Sequence, residues 1–114
     1  MFKGLGQLGD MAKLMKQAQE MQQKMAEAQA RLDNIEVEGT AGAGMVRAWA
    51  TAKGMLKRIS IDPSLFSSED REIVEDLIVA AVREAQEKGQ EAASAEIQKA
   101  AEGLGLPPGF KLPT

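Results

Sequence analysis

The stretch Ile59–Ala85, ISIDPSLFSSEDREIVEDLIVAAVREA, decides the fold. Ile59 and Ile61 alternate with Ser60 and Asp62, the period-two pattern of a half-buried strand. Pro63 has no N–H to donate to a sheet ladder, so the strand ends there. Ser67 and Ser68 offer hydroxyls to the free N–H groups of a helix beginning near Ser68, and Glu69, Asp70 and Glu72 complement its dipole. Ile73, Val74, Leu77, Ile78, Ala81, Val82 and Ala85 then recur at helical spacing as one apolar face.

Upstream, Met55–Asp62 is the whole of this strand. It follows a two-residue turn, Lys53-Gly54, in which glycine supplies positive φ. Met45–Ala52 is the strand before it. The turn sets Trp49 opposite Arg58, Arg47 opposite Ser60 and Thr51 opposite Leu56. The other face pairs Val46 with Ile61, Ala48 with Ile59 and Ala50 with Lys57. That second face is small and mostly apolar, so a helix is expected to pack on it. Ile35–Ala41 reads as a further strand, with Ile35 and Val37 inward and Glu36 and Glu38 outward, and Gly39, Gly42 and Gly44 supply the turn that follows.

Ahead of the strands, Met11, Leu14, Ala18, Met21, Met25, Ala28, Leu32 and Ile35 are spaced 3-4-3-4-3-4-3 and are all apolar, a heptad seam on a helix. Asp10 is a fitting N-cap and Asn34 a fitting C-cap. The expected organisation is a single domain over 1–114. It has a flexible arm over 1–9, a helix over 10–34, a three-stranded antiparallel sheet over 35–62, a helical segment over 67–103 and an extended Gly/Pro-rich tail over 104–114. The fold class is α+β in the order α-β-β-β-α. The sequence leaves open a break of the last helix at Gly89, where glycine costs about 1 kcal/mol relative to alanine. A helix over the seam measures roughly 35 Å, longer than strands of about 17–25 Å. Part of this helix, whose seam offers Met11, Leu14, Met21, Met25 and Leu32 for packing, therefore overhangs the sheet. Those residues pack either on the same domain or, as the overhang favours, on a twofold copy.

The 114 residues contain no Cys, no His and no Tyr. That removes disulfides, thiolate nucleophiles, Cys/His zinc sites and imidazole acid–base catalysis. The opening MFKGLGQLGD has no apolar run that would serve as a signal peptide or membrane span, so a cytoplasmic protein without a membrane is expected. The net charge of −3 is uneven: residues 1–62 carry nine Lys/Arg against seven Asp/Glu, and residues 63–114 five against ten. The overall charge argues against strong non-specific affinity for DNA, but a mildly basic half can still bind an anion locally.

Gly39-Thr-Ala-Gly42-Ala-Gly44 leads into a strand, not into a Lys-Ser/Thr helix start, so it is a hairpin connection and no phosphate loop. Glu69, Asp70, Glu72, Glu75 and Asp76 match no calcium loop and read as a capped, solvated helix start. Arg47, Trp49 and Arg58 form a face with two readings, a cross-strand cation–π pair at a subunit contact or a surface for bases and phosphates. On the first helix, Lys13, Lys16 and Lys24 stand off the seam, with Lys3 on the arm and Arg31 near the far end. This is either a solvated helix face or a set of phosphate contacts.

Together MFKGLGQLGDMAKLMKQAQEMQQKMAEAQARL, VEGTAGAGMVRAWATAKGMLKRISID, IDPSLFSSEDREIVEDLIVAAVREA and the ending GLGLPPGFKLP resemble the YbaB/EbfC family of bacterial nucleoid-associated proteins, over nearly the whole chain. The resemblance implies a homodimer in which paired long helices protrude like tweezers. It also implies binding of double-stranded DNA with little or loose sequence preference, in nucleoid organisation and gene regulation, with no catalytic activity, cofactor or small-molecule substrate. DNA contact maps onto Lys13, Lys16 and Lys24, with Lys3 and Arg31 beside them. The second strand, RAWATA, has small residues where the family often has bulkier ones, so no role for Trp49 carries over. A second reading is a protein-interaction adaptor that uses the Met-rich seam, because methionine surfaces repack readily.

Overall fold

The computed structural model describes residues 2–67 and 69–103, and their side chains except those of 2–8 and 67. The elements follow the expected order: α1 (Phe2–Leu32), β1 (Glu36–Ala41), β2 (Val46–Thr51), β3 (Leu56–Ile61), a 3-10 turn (Pro63–Ser67) and α2 (Arg71–Gly103). The sheet is antiparallel with strand order β1-β2-β3. The tail over 104–114 and the hydroxyls of Ser67 and Ser68 lie outside what is described.

The register follows the expected pairs at Trp49↔Arg58, Arg47↔Ser60, Val46↔Ile61 and Ala48↔Ile59. It departs from them at the turn, where a bulge after Trp49 sets Ala50 opposite Leu56 rather than Lys57. The turn is longer than Lys53-Gly54 alone. The Thr51 N–H donates to Met55 O (2.8 Å) and the Gly54 N–H to Thr51 O (2.8 Å), with Gly54 at φ 90°. The extra residue brings Leu56, not Lys57, onto the helix-side face, which thereby becomes wholly apolar. Gly39 also differs from its turn assignment: it lies inside β1, and the turn is made by Gly42, Ala43 and Gly44, all with positive φ.

α2 packs chiefly on β1 and β2 and leaves β3 half-covered, with Ile61 at the margin of the core. The core is made of Val46, Ala48, Ala50, Ala81 and Ala85, all fully buried, with Leu77, Ile78 and Val82 at its margin. The helix comes very close to the sheet, because a Cβ on Gly39 would overlap the Ala81 carbonyl oxygen and the Ala85 nitrogen. Gly89 continues this small-residue stripe. It does not break α2, which runs unbroken to Gly103 and presses Gly89 against Thr51.

α2 begins at Arg71 rather than near Ser68. Ile73 and Val74 donate to the carbonyl of Asp70 (3.1 and 3.3 Å), so the first turn closes on Asp70. The intervening 3-10 turn is held by Asp62, whose carboxylate accepts from the Ser64 N–H (2.9 Å) and hydroxyl (2.7 Å). Those bonds hold the Asp62 pKa below its ordinary value.

α1 begins at Phe2, so the segment read as an arm continues the helix. Only the end of α1 touches the body. Ala28 and Leu32 are buried beside α2's Ala100 and Ala101, and Arg31 Nε meets Glu96 Oε1 at 2.6 Å. The helices run antiparallel there. Were they parallel, the middle of α1 would lie along the sheet-bound part of α2, yet residues 9–20 are all exposed. The 33 residues of α2 span about 50 Å and the overhang of α1 adds about 33 Å at ~1.5 Å per residue, which accounts for a molecule 84 Å long.

Candidate nucleic-acid interface

The projecting part of α1 has two sides. At 100° per residue, Met11, Leu14, Ala18, Met21 and Met25 share one side, and Lys13, Lys16 and Lys24 occupy about a quarter of the circumference on the other. Burial follows this split. Leu32 is buried and Met21 and Met25 are half-buried where α2 runs alongside, whereas Met11 and Leu14 are 58% and 64% exposed. Met15, not part of the heptad seam, borders the same stripe and is 63% exposed. Its position two turns before Gln22 gave no sequence signal, since strict 3-4 spacing skips it.

Lys13, Lys16 and Lys24 are exposed, and none is paired in an ion pair among the described residues. Lys13 to Lys24 covers about 17 Å of helix, the rise of roughly five base pairs. Glu20 and Glu27 lie on the same side and dilute the patch. Arg31 is not brought into it as a free cation, because Glu96 holds its guanidinium. The side chain of Lys3 lies outside what is described.

The outer face of the sheet is electrostatically closed. Arg58 stacks over Trp49, 4.3 Å from the ring centroid, and meets Glu36 at 3.2 Å, while Arg47 meets Glu38 at 3.8 Å. Both carboxylates come from β1, whose register places Glu38 beside Trp49. The cation–π contact joins the cross-strand pair Trp49 and Arg58, and each arginine is matched by a neighbouring carboxylate. The face offers no net positive field to a phosphate.

Among the described residues, no three His, Cys, Asp or Glu lie close enough together to hold a metal ion, and no helix is long and apolar enough to cross a membrane. The hollow at the start of α2 is lined by Glu69, Asp70, Arg71, Glu72 and Ile73, three carboxylates against one guanidinium.

Comparison with known proteins fits this geometry. A nucleoid-associated protein of Maricaulis maris is 54% identical over 104 residues, covering 91% of this chain and 97% of its own length. One of Granulibacter bethesdensis is 51% identical over the same shares of the two chains. The crystal structure of an uncharacterized protein from Helicobacter pylori superposes with a TM-score of 0.57 at 21% identity, over 66% of this chain and 87% of that one, and so shares the fold. The profile of the YbaB/EbfC DNA-binding family matches residues 7–104, most of the chain, and the chain belongs to that family.

Proposed function

We propose that this chain is a nucleoid-associated, non-enzymatic DNA-binding protein. It acts as a homodimer whose two projecting α1 helices place Lys13, Lys16 and Lys24 against the phosphates of double-stranded DNA. The observation that carries the lysine assignment is the contrast between the two basic surfaces. The sheet arginines are matched by Glu36 and Glu38, while the α1 lysines stand exposed on a helix that leaves the body. A helix that lays lysines along a backbone makes charge contacts without reading base edges, which supports loose sequence preference.

Self-association is supported by where the large apolar side chains sit. Among the described residues the largest fully buried side chain is Val46, whereas Leu56 and Ile59 on the helix-side face of β3 are each 40% exposed and Val79 is 54% exposed. Val79 lies two turns before Gln86, whose side chain reaches Gly54 O, so Val79 shares the flank of α2 nearest β3. A second copy over this half-covered sheet would bury these side chains at a gain on the order of 1 kcal/mol each.

The test is a gel shift on duplex DNA with Lys13, Lys16 and Lys24 all replaced by Ala, alongside light scattering. We expect retardation to vanish with the dimer mass unchanged; undiminished binding removes the α1 assignment.

A further inference from the structure

We infer that the exposed apolar stripe on the projecting half of α1 (Met11, Leu14 and Met15) is the docking surface for residues 104–114 of the same chain. The stripe is uncovered by every described residue, and the path of α2 leads onto it. Arg31 meets Glu96 in an antiparallel pairing, so seven residues forward along α2, from Glu96 to Gly103, correspond to seven residues back along α1, from Arg31 to Lys24. α2 therefore ends at Gly103 beside Met21 and Met25, where the stripe passes from half-buried to exposed.

From there the chain has the length and the chemistry. Eleven residues follow Gly103, and Leu104, Leu106, Phe110 and Leu112 are among them. Extended, they reach about 36 Å, and the stripe from Met25 to Met11 measures about 21 Å. Pro107 and Pro108 favour an extended path and bring no N–H that a helix surface would leave unbonded. Attachment at the end of the stripe gives the tail an effective concentration on the order of millimolar, which a separate molecule does not have. The overhang also needs a partner: an isolated helix of about 20 residues is marginal in water, and this one carries Gly4, Gly6 and Gly9. Docking on the Met side leaves the lysine side open. The inference stands on the apolar geometry alone and holds whether or not the lysines contact DNA.

The test is amide hydrogen exchange on the full-length chain and on the variant L106D/F110D. We expect exchange over residues 9–20 to quicken by about tenfold or more in the variant, with β2 unaffected. Equal exchange in the two proteins overturns the inference. Because the chain has no cysteine, a nitroxide on L112C gives a second reading. It is expected to broaden the Met11 and Met15 methyl signals, and to keep doing so when the labelled chain is mixed with excess unmodified chain. Absence of broadening, or its loss on mixing, assigns the stripe to another occupant and overturns the inference.

Discussion

Two glycines set the distance between helix and sheet. Alanine at Gly89 would gain about 1 kcal/mol of helix propensity, but its Cβ would stand 2.7 Å from the carbonyl oxygen of Thr51. Overpacking of this kind costs roughly 1–3 kcal/mol. G89A is therefore expected to destabilise despite its better propensity, lowering the urea midpoint with an unchanged m-value. At Gly39 the new Cβ would strike helix backbone, which cannot rotate away, so G39A is expected to cost at least about 3 kcal/mol by the same measurement. Asp62 acts through charge instead. Its pKa is held below the ordinary 3.8 by bonds from the Ser64 hydroxyl and N–H. A carboxylate with a depressed folded pKa contributes stability above that ordinary value and loses it as pH falls through the folded one. D62A should thus be less stable than the parent at neutral pH, and the gap should close as pH is lowered below 3.8 in a series of denaturation curves.

At the scale of elements, the two faces of the sheet have separate tasks. The outer face is a ladder of exposed ion pairs and one cation–π contact, worth about 1 kcal/mol or less for each pair. R47A/R58A should leave DNA affinity unchanged, and a gel shift that weakens with this double variant would return the outer face to the interface. The pairing of Trp49 with Arg58 was legible in the sequence, since period-two alternation and a glycine turn determine who faces whom. The bulge was not, because Thr51 and Met55 close the turn one residue earlier than Lys53-Gly54 implies. Gly39 and Gly89 read as turn and breaker for the same reason: sequence shows that a glycine tolerates unusual backbone, but not that another backbone lies against it. The lysine side of α1 was readable from helical spacing. The half-covered β3 was not, since which strands a helix covers is set by tertiary packing that no local pattern records. The start of α1 at Phe2 likewise escaped a reading that took three glycines for an arm.

At the scale of the molecule, an 84 Å body with a net charge of −3 carries Lys13, Lys16 and Lys24 on a projecting helix, away from the acidic start of α2. The proposed grip on DNA depends on having two arms. Three lysines per arm neutralise at most about six phosphates in a dimer, for a slope of log affinity against log salt near −5, or about a thousandfold loss between 50 and 200 mM salt. One arm alone gives roughly half that slope, and it also loses the gain from linking two weak contacts. I59D places a charge on the half-covered face of β3, far from the α1 lysines. It is expected to yield a monomer by light scattering that keeps its circular dichroism, and to bind DNA weakly with the shallower slope. A monomeric I59D variant that retained the full slope would show that one arm suffices, and would separate the lysine contacts from the dimer that is proposed to present them.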